Sequence, residues 1–225
     1  MPGLDPLWWL NHLHFYDWGR GRAGGAGSKR PFIFSRWGGL GNHRYPIGFS
    51  GDTVIGWDAL DFQPGFTATA ANVGYGWWSH DIGGHMGGVE EAELFARWVQ
   101  YGVFSPIFRL HCTKNPYHER RPWGYDAETF RVTSDAMRLR HALIPYLYTM
   151  SWRNHTTTIP LVRPMYYDYP AREEAYHCSD QYTFGSELVA APFVRPADRE
   201  TRMSRQVVWL PPGDWYHFFD GHSYT

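Results

Sequence analysis

The sequence has few cysteines, no excess of charge of one sign and no long apolar run. Cys112 and Cys178, the two cysteines among 225 residues, are too few for a disulfide scaffold. Lys and Arg number 21 against 22 Asp and Glu, so the chain lacks the basic surface that nucleic acid binding requires. Its apolar stretches fall far short of the roughly 20 residues that span a bilayer, and no signal-peptide pattern follows Met1. We expect neither a nucleic acid nor a membrane partner, and the localisation remains unknown.

Aromatic residues, in contrast, are abundant, and 12 Trp, 15 Tyr and 14 Phe make up 18% of the chain. Many of these rings stand beside Gly, His, Asp or Arg in the sequence instead of in apolar runs. Large rings can simply build a hydrophobic core. A cleft of flat rings and polar groups would instead suit a sugar, whose C–H faces stack on rings while its hydroxyls need polar partners. Composition alone does not decide between these two interpretations.

Strand and helix patterns alternate along most of the chain. Helices are predicted at 7–16, at 57–71 with an interruption at Pro64, at 90–101, and at about 127–152 with a kink at Pro145. Strands are predicted at 31–36, 45–50, 73–79 and 105–109, and Gly19–Gly27 is predicted to be a loop. This alternation predicts an α/β fold with a parallel sheet, of the kind found in (β/α)8 barrels.

The pattern changes after about residue 178. Short strand-like segments at 188–194, 206–210 and 215–219 are separated by turns rich in Pro, Gly and Asp. The sequence therefore predicts two domains, with an α/β part at residues 1–178 and the start of an all-β sandwich at residues 179–225.

Polar or charged residues end or directly follow each predicted strand. They are Arg36, Asp52, Asp81, and Arg109 with His111. Catalytic groups of (β/α)8 enzymes lie at the carboxyl ends of the strands. Buried arginine is rare unless it is paired, so each arginine is expected to meet a carboxylate. The cluster predicts a functional site, and a purely structural network of ion pairs is the alternative.

Asp52 is the leading candidate for catalysis. It follows Ser50 and Gly51, and glycine permits a tight turn that exposes the carboxylate. The alternative is that Asp52 caps the helix that follows. Asp81 is followed by Ile82 and two glycines, which would let the backbone approach a ligand closely. The alternative is a simple turn residue, which would be favoured if Asp81 stood alone.

Metal or thiol chemistry has weaker support. His80, Asp81 and His85 lie close together but show neither a thiol ligand nor a zincin spacing, so no metal and no cofactor are expected. The segment at 48–52 breaks the Gly-x-Ser-x-Gly motif at its last position. Cys112 follows His111 directly, but adjacency in sequence is not the spatial pairing that thiol catalysis needs.

Six motifs, together covering most of the chain in order, resemble those of glycoside hydrolase family 31, the family of α-glucosidases and α-xylosidases. They are Ile33-Phe-Ser-Arg36, His43-Arg-Tyr-Pro-Ile-Gly-Phe-Ser-Gly-Asp-Thr53, Trp78-Ser-His-Asp-Ile-Gly-Gly84, Arg97-Trp-Val-Gln-Tyr-Gly-Val-Phe-Ser-Pro-Ile-Phe-Arg-Leu-His111, Arg140-His-Ala-Leu-Ile-Pro-Tyr-Leu-Tyr148 and Pro160-Leu-Val-Arg-Pro164. The resemblance implies a TIM barrel followed by an all-β domain. It also implies hydrolysis of O-glycosyl bonds in an α-linked oligosaccharide or glycoside.

The resemblance also implies a role for individual residues. Asp52 corresponds to the general acid/base of the family. The residues expected to bind substrate are Arg36, Asp81, His111, Trp78, Phe49 and Arg109. Phe49 stands where the family often has Trp, so an indole N–H near the scissile bond would be lost.

The family mechanism is retaining and uses a second carboxylate as nucleophile, at the end of barrel strand four. Asn11 follows Trp9 and Leu10 as a superficial match, but residues 7–16 fit the helix after that strand better. We therefore expect the nucleophile to lie outside these 225 residues, the chain to hold strands five to eight of the barrel, and the isolated chain to be inactive. The alternative is a non-catalytic carbohydrate-binding protein that uses Trp57, Trp77, Trp78 and the Asp81/His111 pair.

Overall fold

The computed structural model describes residues 3–20, 31–36, 39–45 and 47–225. The α-helices in these ranges are α1 (Pro6–Arg20), α2 (Trp57–Thr69), α3 (Ala92–Val103), α4 (Ala127–Ala142) and α5 (Ile144–Thr157). The strands in the same ranges are β1 (Gly48–Phe49), β2 (Trp78–Ser79), β3 (Val162–Pro164), β4 (Tyr182–Phe184), β5 (Leu188–Ala190), β6 (Trp215–Tyr216) and β7 (Ser223–Tyr224). Single 3-10 turns lie at Asn42–Arg44, Ala70–Val73, Pro122–Gly124, Met165–Tyr167 and Glu173–Tyr176.

Parallel pairing joins the segments in or beside the four predicted strands. β1 pairs with β2, with Phe49 opposite Ser79. Single parallel bridges extend this pairing to the segments on either side of β1 and β2. They join Phe34 to Ile47 and Ile82 to Leu110. The regular strands are shorter than predicted, but their carboxyl ends lie at one edge because the pairing is parallel.

Alternation along β1 and β2 sorts the side chains onto two faces. Phe49 and Ser79 share one face, and Gly48 and Trp78 share the other. On that second face the Trp78 ring lies 5.3 Å from the Phe66 ring of α2. Gly48 leaves the space for Trp78, since a Cβ at this position would lie 2.7 Å from the indole.

α3 carries the clearest amphipathic pattern, and its buried face is the one predicted from the sequence. Leu94, Phe95, Trp98 and Val99 are all fully buried in the main hydrophobic core. Glu93 lies in the first turn, where a negative charge interacts favourably with the helix dipole.

The two predictions that concern proline were wrong in detail. α2 continues through Pro64 instead of breaking there. Pro64 is buried, so packing holds the helix although one backbone hydrogen bond is lost. The predicted helix at 127–152 is divided into α4 and α5 at Leu143. Pro145 lies in the first turn of α5. Backbone N–H groups in the first turn have no hydrogen-bond partner within their own helix, so proline is tolerated there.

The C-terminal part contains two small antiparallel sheets. β3 pairs with β4 and β4 with β5, while β6 pairs with β7. β3 was not predicted as a strand, and the segment predicted as a strand at 206–210 forms no ladder with any described residue. In the predicted loop Gly19–Gly27, Gly19 belongs to α1 and residues 21–27 lie outside the described residues.

The helices that the structure describes include none that combines the length and the apolar character needed to cross a membrane.

His80 is a fully buried core residue that connects the end of β2 to α3. Trp98 donates its Nε1–H to His80 Nδ1 at 3.1 Å, so Nε2 carries the proton and faces Ser105 Oγ at 2.9 Å. The imidazole also stacks on Tyr101 with ring centroids 4.6 Å apart. Burial lowers the pKa of His80 to about 3. His80 is therefore neutral, and both of its ring nitrogens have partners in the core. It is not placed to bind a metal together with Asp81 and His85.

This geometry predicts acid sensitivity. The chain should lose stability as the pH falls from about 6.5 toward 3, because unfolded His80 takes up a proton that folded His80 excludes. The shift to about 3 corresponds to about 5 kcal/mol over the full interval. His80→Gln stays neutral and should flatten this part of the pH dependence, as measured by urea unfolding between pH 7.5 and 4.5. His14→Gln, at an exposed position, is the control. A His80→Gln profile as steep as that of the wild type would contradict the expectation.

Candidate active site

Charged side chains from the carboxyl ends of the paired segments come together at one edge. Asp52 Oδ1 lies 3.1 Å from Arg36 Nη2. Asp52 Oδ2 lies 3.7 Å from His85 Nε2, and the other imidazole nitrogen, Nδ1, lies 3.0 Å from Asp81 Oδ2. Two carboxylates predicted to belong to one site are therefore linked through a single histidine.

Arg109 and Asp81 form the most enclosed ion pair of this cluster. Arg109 Nη2 binds Asp81 Oδ1, and the Asp81 side chain is 0% exposed. Arg109 Nε donates to Ser79 Oγ at 3.3 Å. The guanidinium carbon lies 4.7 Å from the Phe34 ring centroid and 5.1 Å from that of Phe49, within the range of cation–π contacts. Both predicted arginine–carboxylate pairs are thus present.

Burial shifts two titrations in the cluster toward the neutral forms. It raises the pKa of Asp81, and the Arg109 guanidinium acts against that shift. It lowers the pKa of His111, and the Asp81 carboxylate acts against that shift. The His111 ring lies 5.1 Å from the His85 ring. Perturbed acid and base groups at one strand edge are typical of functional sites.

Asp52 is the accessible carboxylate, with 36% of its side chain exposed. α2 begins at Trp57 after Gly56, and no described side chain caps its first turn. The alternative role of Asp52 as a helix cap is therefore wrong. Gly51 has φ = +92°, which favours glycine, and a Cβ there would lie 3.3 Å from the Arg36 guanidinium.

Arg120 fixes the loop between Asp81 and His85 from behind. It is buried and donates to the carbonyl oxygens of Gly83 and Gly84 at 2.8 and 2.6 Å. It also binds both carboxylate oxygens of Glu90, at 2.7 and 2.9 Å. A Cβ at Gly83, where φ is +99°, would lie 2.5 Å from Arg120 Nε, so only glycine lets the loop pack against Arg120 in this way. The contacts of Arg120 with Gly83, Gly84 and Glu90 form the Arg120 clamp.

Phe49 joins the cluster and Trp78 does not. The Phe49 ring lies 5.9 Å from the Arg36 guanidinium carbon, on the same face as Ser79. Trp78 is buried on the opposite face, and its substrate-binding role stays a prediction. Sequence reasoning named no role in the site for Phe34, Ser79 or Arg120, because their importance depends on contacts across strands and loops.

Possible metal ligands exist, but the charges do not favour a cation. Asp81, His85 and His111 offer ligand atoms within 4.8 Å of one another. Arg109 already neutralises Asp81, and its positive charge would repel a metal ion beside it. Burial raises the pKa of the Cys112 thiol, which disfavours a thiolate nucleophile. An uncharged, hydroxyl-bearing ligand is better matched to this arrangement.

Two family models account for nearly the whole chain. The model for the glycosyl hydrolases family 31 TIM-barrel domain matches residues 7–150. The model for the glycosyl hydrolase family 31 C-terminal domain matches residues 158–225. The chain belongs to glycoside hydrolase family 31. Its architecture is a family 31 TIM-barrel domain followed by the family 31 C-terminal domain, as the motifs implied.

Similarity to individual proteins is consistent with this family. Alpha-glucosidase 2 of Bacillus thermoamyloliquefaciens is 31% identical over 193 residues, which are 86% of this chain and 24% of that protein. The family 31 dextranase of Flavobacterium johnsoniae, in a complex with glucose, has a TM-score of 0.85 at 28% identity, over 96% of this chain and 26% of its own. The cycloalternan-degrading enzyme of Trueperella pyogenes, in complex with a covalent intermediate, has a TM-score of 0.81 at 28% identity, over 93% of this chain and 29% of its own. The chain spans about a quarter of the length of the curated relatives it matches.

Loss of the Arg120 clamp should destabilise the chain strongly. Arg120→Met removes the cation that pairs with Glu90 and the donor to two carbonyl oxygens, and Glu90 keeps only the Tyr125 hydroxyl as a donor among the described residues. Breaking a buried ion pair costs about 3 to 5 kcal/mol. Arg138→Met removes an exposed pair with Asp135 and should cost less than about 1 kcal/mol. Urea unfolding of both variants measures the difference. Similar losses in the two variants would show that Arg120 does not hold the loop.

Proposed function

We propose that this chain is the acid/base-bearing part of an exo-acting, retaining α-glycosidase of the α-glucosidase type, in carbohydrate metabolism. Asp52 is the general acid/base that protonates the leaving glycosidic oxygen. The observation that carries the proposal is the exposed Asp52 carboxylate between Arg36 and His85, at the edge where the parallel segments end. A catalytic acid needs both access to the substrate and a fixed position, and this carboxylate has both.

The groups around Asp52 suit a sugar. Asp81 Oδ2 is buried and lies 3.0 Å from His85 Nδ1, but that contact lacks hydrogen-bond geometry, so the oxygen accepts no hydrogen bond from any described residue. A buried oxygen without a donor marks a place where a ligand hydroxyl would be stabilised. Arg36 is exposed beside Asp52, so a sugar hydroxyl would meet a cation next to the proposed acid, and the buried Phe49 ring lies 5.9 Å from the guanidinium carbon. We propose Arg36, Asp81, His111, Arg109 and Phe49 as substrate-binding residues.

The nucleophile, on this proposal, is supplied from outside residues 1–225, and the chain contributes strands five to eight of the barrel. α5 supports this arrangement. Ile144, Tyr148 and Trp152 recur every four residues along it and are each more than half exposed. Such a stripe of large apolar side chains on a helix is typical of a surface that another part of a protein covers.

The part that follows the barrel is proposed to be the beginning of an all-β sandwich. The support is the antiparallel sheet of β3, β4 and β5 and the pair of β6 and β7. The boundary predicted at residue 178 lies inside the first of these sheets, because β3 precedes it. A start near residue 158, where the C-terminal family model begins, keeps the sheet in one domain.

The alternative function is carbohydrate binding without catalysis. The rings predicted for it are dispersed, since Trp57 donates to Glu91 at 3.0 Å and Trp78 lies in the core. Titration calorimetry with maltose discriminates between the two functions when it is combined with the reaction described below. Binding that survives Asp52→Asn and disappears in Asp81→Ala, without any reaction, would favour the binding protein.

An azide reaction tests the catalytic proposal on this chain. Azide can replace the missing nucleophile by attacking the anomeric carbon, while the C–O bond breaks and Asp52 gives its proton to the leaving oxygen. With phenyl α-glucoside we expect no turnover without azide and β-glucosyl azide with it. Asp52→Asn should lower this rate roughly 100-fold or more with phenyl α-glucoside, and much less with 4-nitrophenyl α-glucoside, whose leaving group needs little protonation.

The anomeric configuration of the glucosyl azide shows whether the nucleophile lies within this chain. A single displacement inverts the anomeric carbon and gives the β product, whereas a nucleophile within the chain would give two displacements and the α product. Formation of α-glucosyl azide, or hydrolysis without azide, would show that the chain holds its own nucleophile. Rates with phenyl α-glucoside that are equal in the wild type and in Asp52→Asn would refute the role of Asp52.

A further inference from the structure

We propose that His85 is the positioning residue that holds the Asp52 carboxylate for proton transfer and couples it to the buried Asp81–Arg109 pair. The proposal rests on the proposed function, in which Asp52 is the acid. His85 lies in the loop after Asp81 and has no assigned role in that function.

The backbone of His85 fixes its position from both sides. Its N–H donates to the carbonyl oxygen of Thr53, the residue after Asp52, at 2.8 Å. Its carbonyl oxygen accepts the N–H of Thr113, two residues after His111, at 2.8 Å. Three loops that carry proposed site residues are therefore joined at this one position.

The imidazole ring has a carboxylate at each end. Nδ1 lies 3.0 Å from Asp81 Oδ2, and Nε2 lies 3.7 Å from Asp52 Oδ2. The His85 ring lies against the His111 ring, with centroids 5.1 Å apart and an angle of 40° between the ring planes. Only 13% of the side chain is exposed. An imidazole held in this way spans the gap between a fixed carboxylate and a catalytic one.

The two contacts of Asp52 differ in rigidity. Arg36 approaches Oδ1 with a long side chain that is 56% exposed, and its hold on the carboxylate is correspondingly loose. His85 lies 3.7 Å from Oδ2, with a ring that is only 13% exposed and a backbone that is hydrogen-bonded on both sides. The charged and titratable groups that face this ring are Asp52, Asp81 and His111, with Arg109 behind Asp81. His85 is therefore the contact that determines where the Asp52 carboxylate points.

Two substitutions separate the ends of the ring. The amide nitrogen of His85→Asn can replace Nδ1 beside Asp81, but it does not reach Asp52. The longer His85→Gln can place its amide nitrogen where Nε2 stood, facing Asp52. If His85 acts by positioning Asp52, glutamine should rescue the function and asparagine should not.

The first measurement does not depend on activity. Imidazole 15N resonances of the 225-residue chain report on each ring nitrogen separately. We expect Asp52→Asn to shift the Nε2 resonance of His85 and Asp81→Asn to shift its Nδ1 resonance. His14 in α1 serves as the internal control and should not move. An Nε2 resonance that stays unchanged in Asp52→Asn would overturn the proposal, whatever the chain catalyses.

The second measurement uses the azide reaction with phenyl α-glucoside. His85→Asn should lower kcat by roughly tenfold to a hundredfold with little change in KM, as expected for a displaced catalytic group. His85→Gln should stay within a few-fold of the wild type. Thermal unfolding of both variants identifies a loss caused by misfolding. Equal losses of kcat in two folded variants, or a change confined to KM, would overturn the positioning role. If the wild type forms no glucosyl azide, the proposed function fails, and the resonance shifts still decide whether His85 holds Asp52.

Discussion

The buried ion pair between Asp81 and Arg109 is the contact on which the candidate active site depends. Burial disfavours the charged form of Asp81, and the Arg109 guanidinium acts against that effect by pairing with the carboxylate. Ser79 and the rings of Phe34 and Phe49 hold the guanidinium there. Through His85 the same pair reaches Asp52, so the ion pair is the base of the site that we propose for acid catalysis and sugar binding.

The fold delivers these side chains to one place by simple means. Parallel pairing directs the carboxyl ends of neighbouring segments to the same edge, and Gly51 and Gly83 turn the chain sharply there. Arg120 then holds the turn at Gly83 by donating to two carbonyl oxygens and by pairing with Glu90. Not every motif residue contacts the site, since Arg140 donates to the carbonyl oxygens of Val103, Ser105 and Pro106 beneath it.

The strand-end residues were predictable because their placement follows from parallel pairing alone. Arg36, Asp52, Asp81, Arg109 and His111 could be expected at one edge without knowledge of any contact. Trp78 was harder to place, because its face depends on the register of a two-residue strand. Arg120 could not be found, since nothing in the sequence distinguishes it from the exposed Arg121 next to it. His85 stood out only as a possible metal ligand, since its link between two carboxylates depends on a loop geometry that the sequence does not show.

A double-mutant cycle tests the central claim most directly, that the Asp81–Arg109 pair organises the site. Denaturant unfolding of Asp81→Asn, Arg109→Gln and the double variant gives the coupling free energy. Each single substitution should cost about 3 kcal/mol or more, because it leaves one charge of the pair uncompensated, and the double variant should cost clearly less than the sum. A coupling of about 2 kcal/mol or more would support the account. Costs that simply add would contradict it.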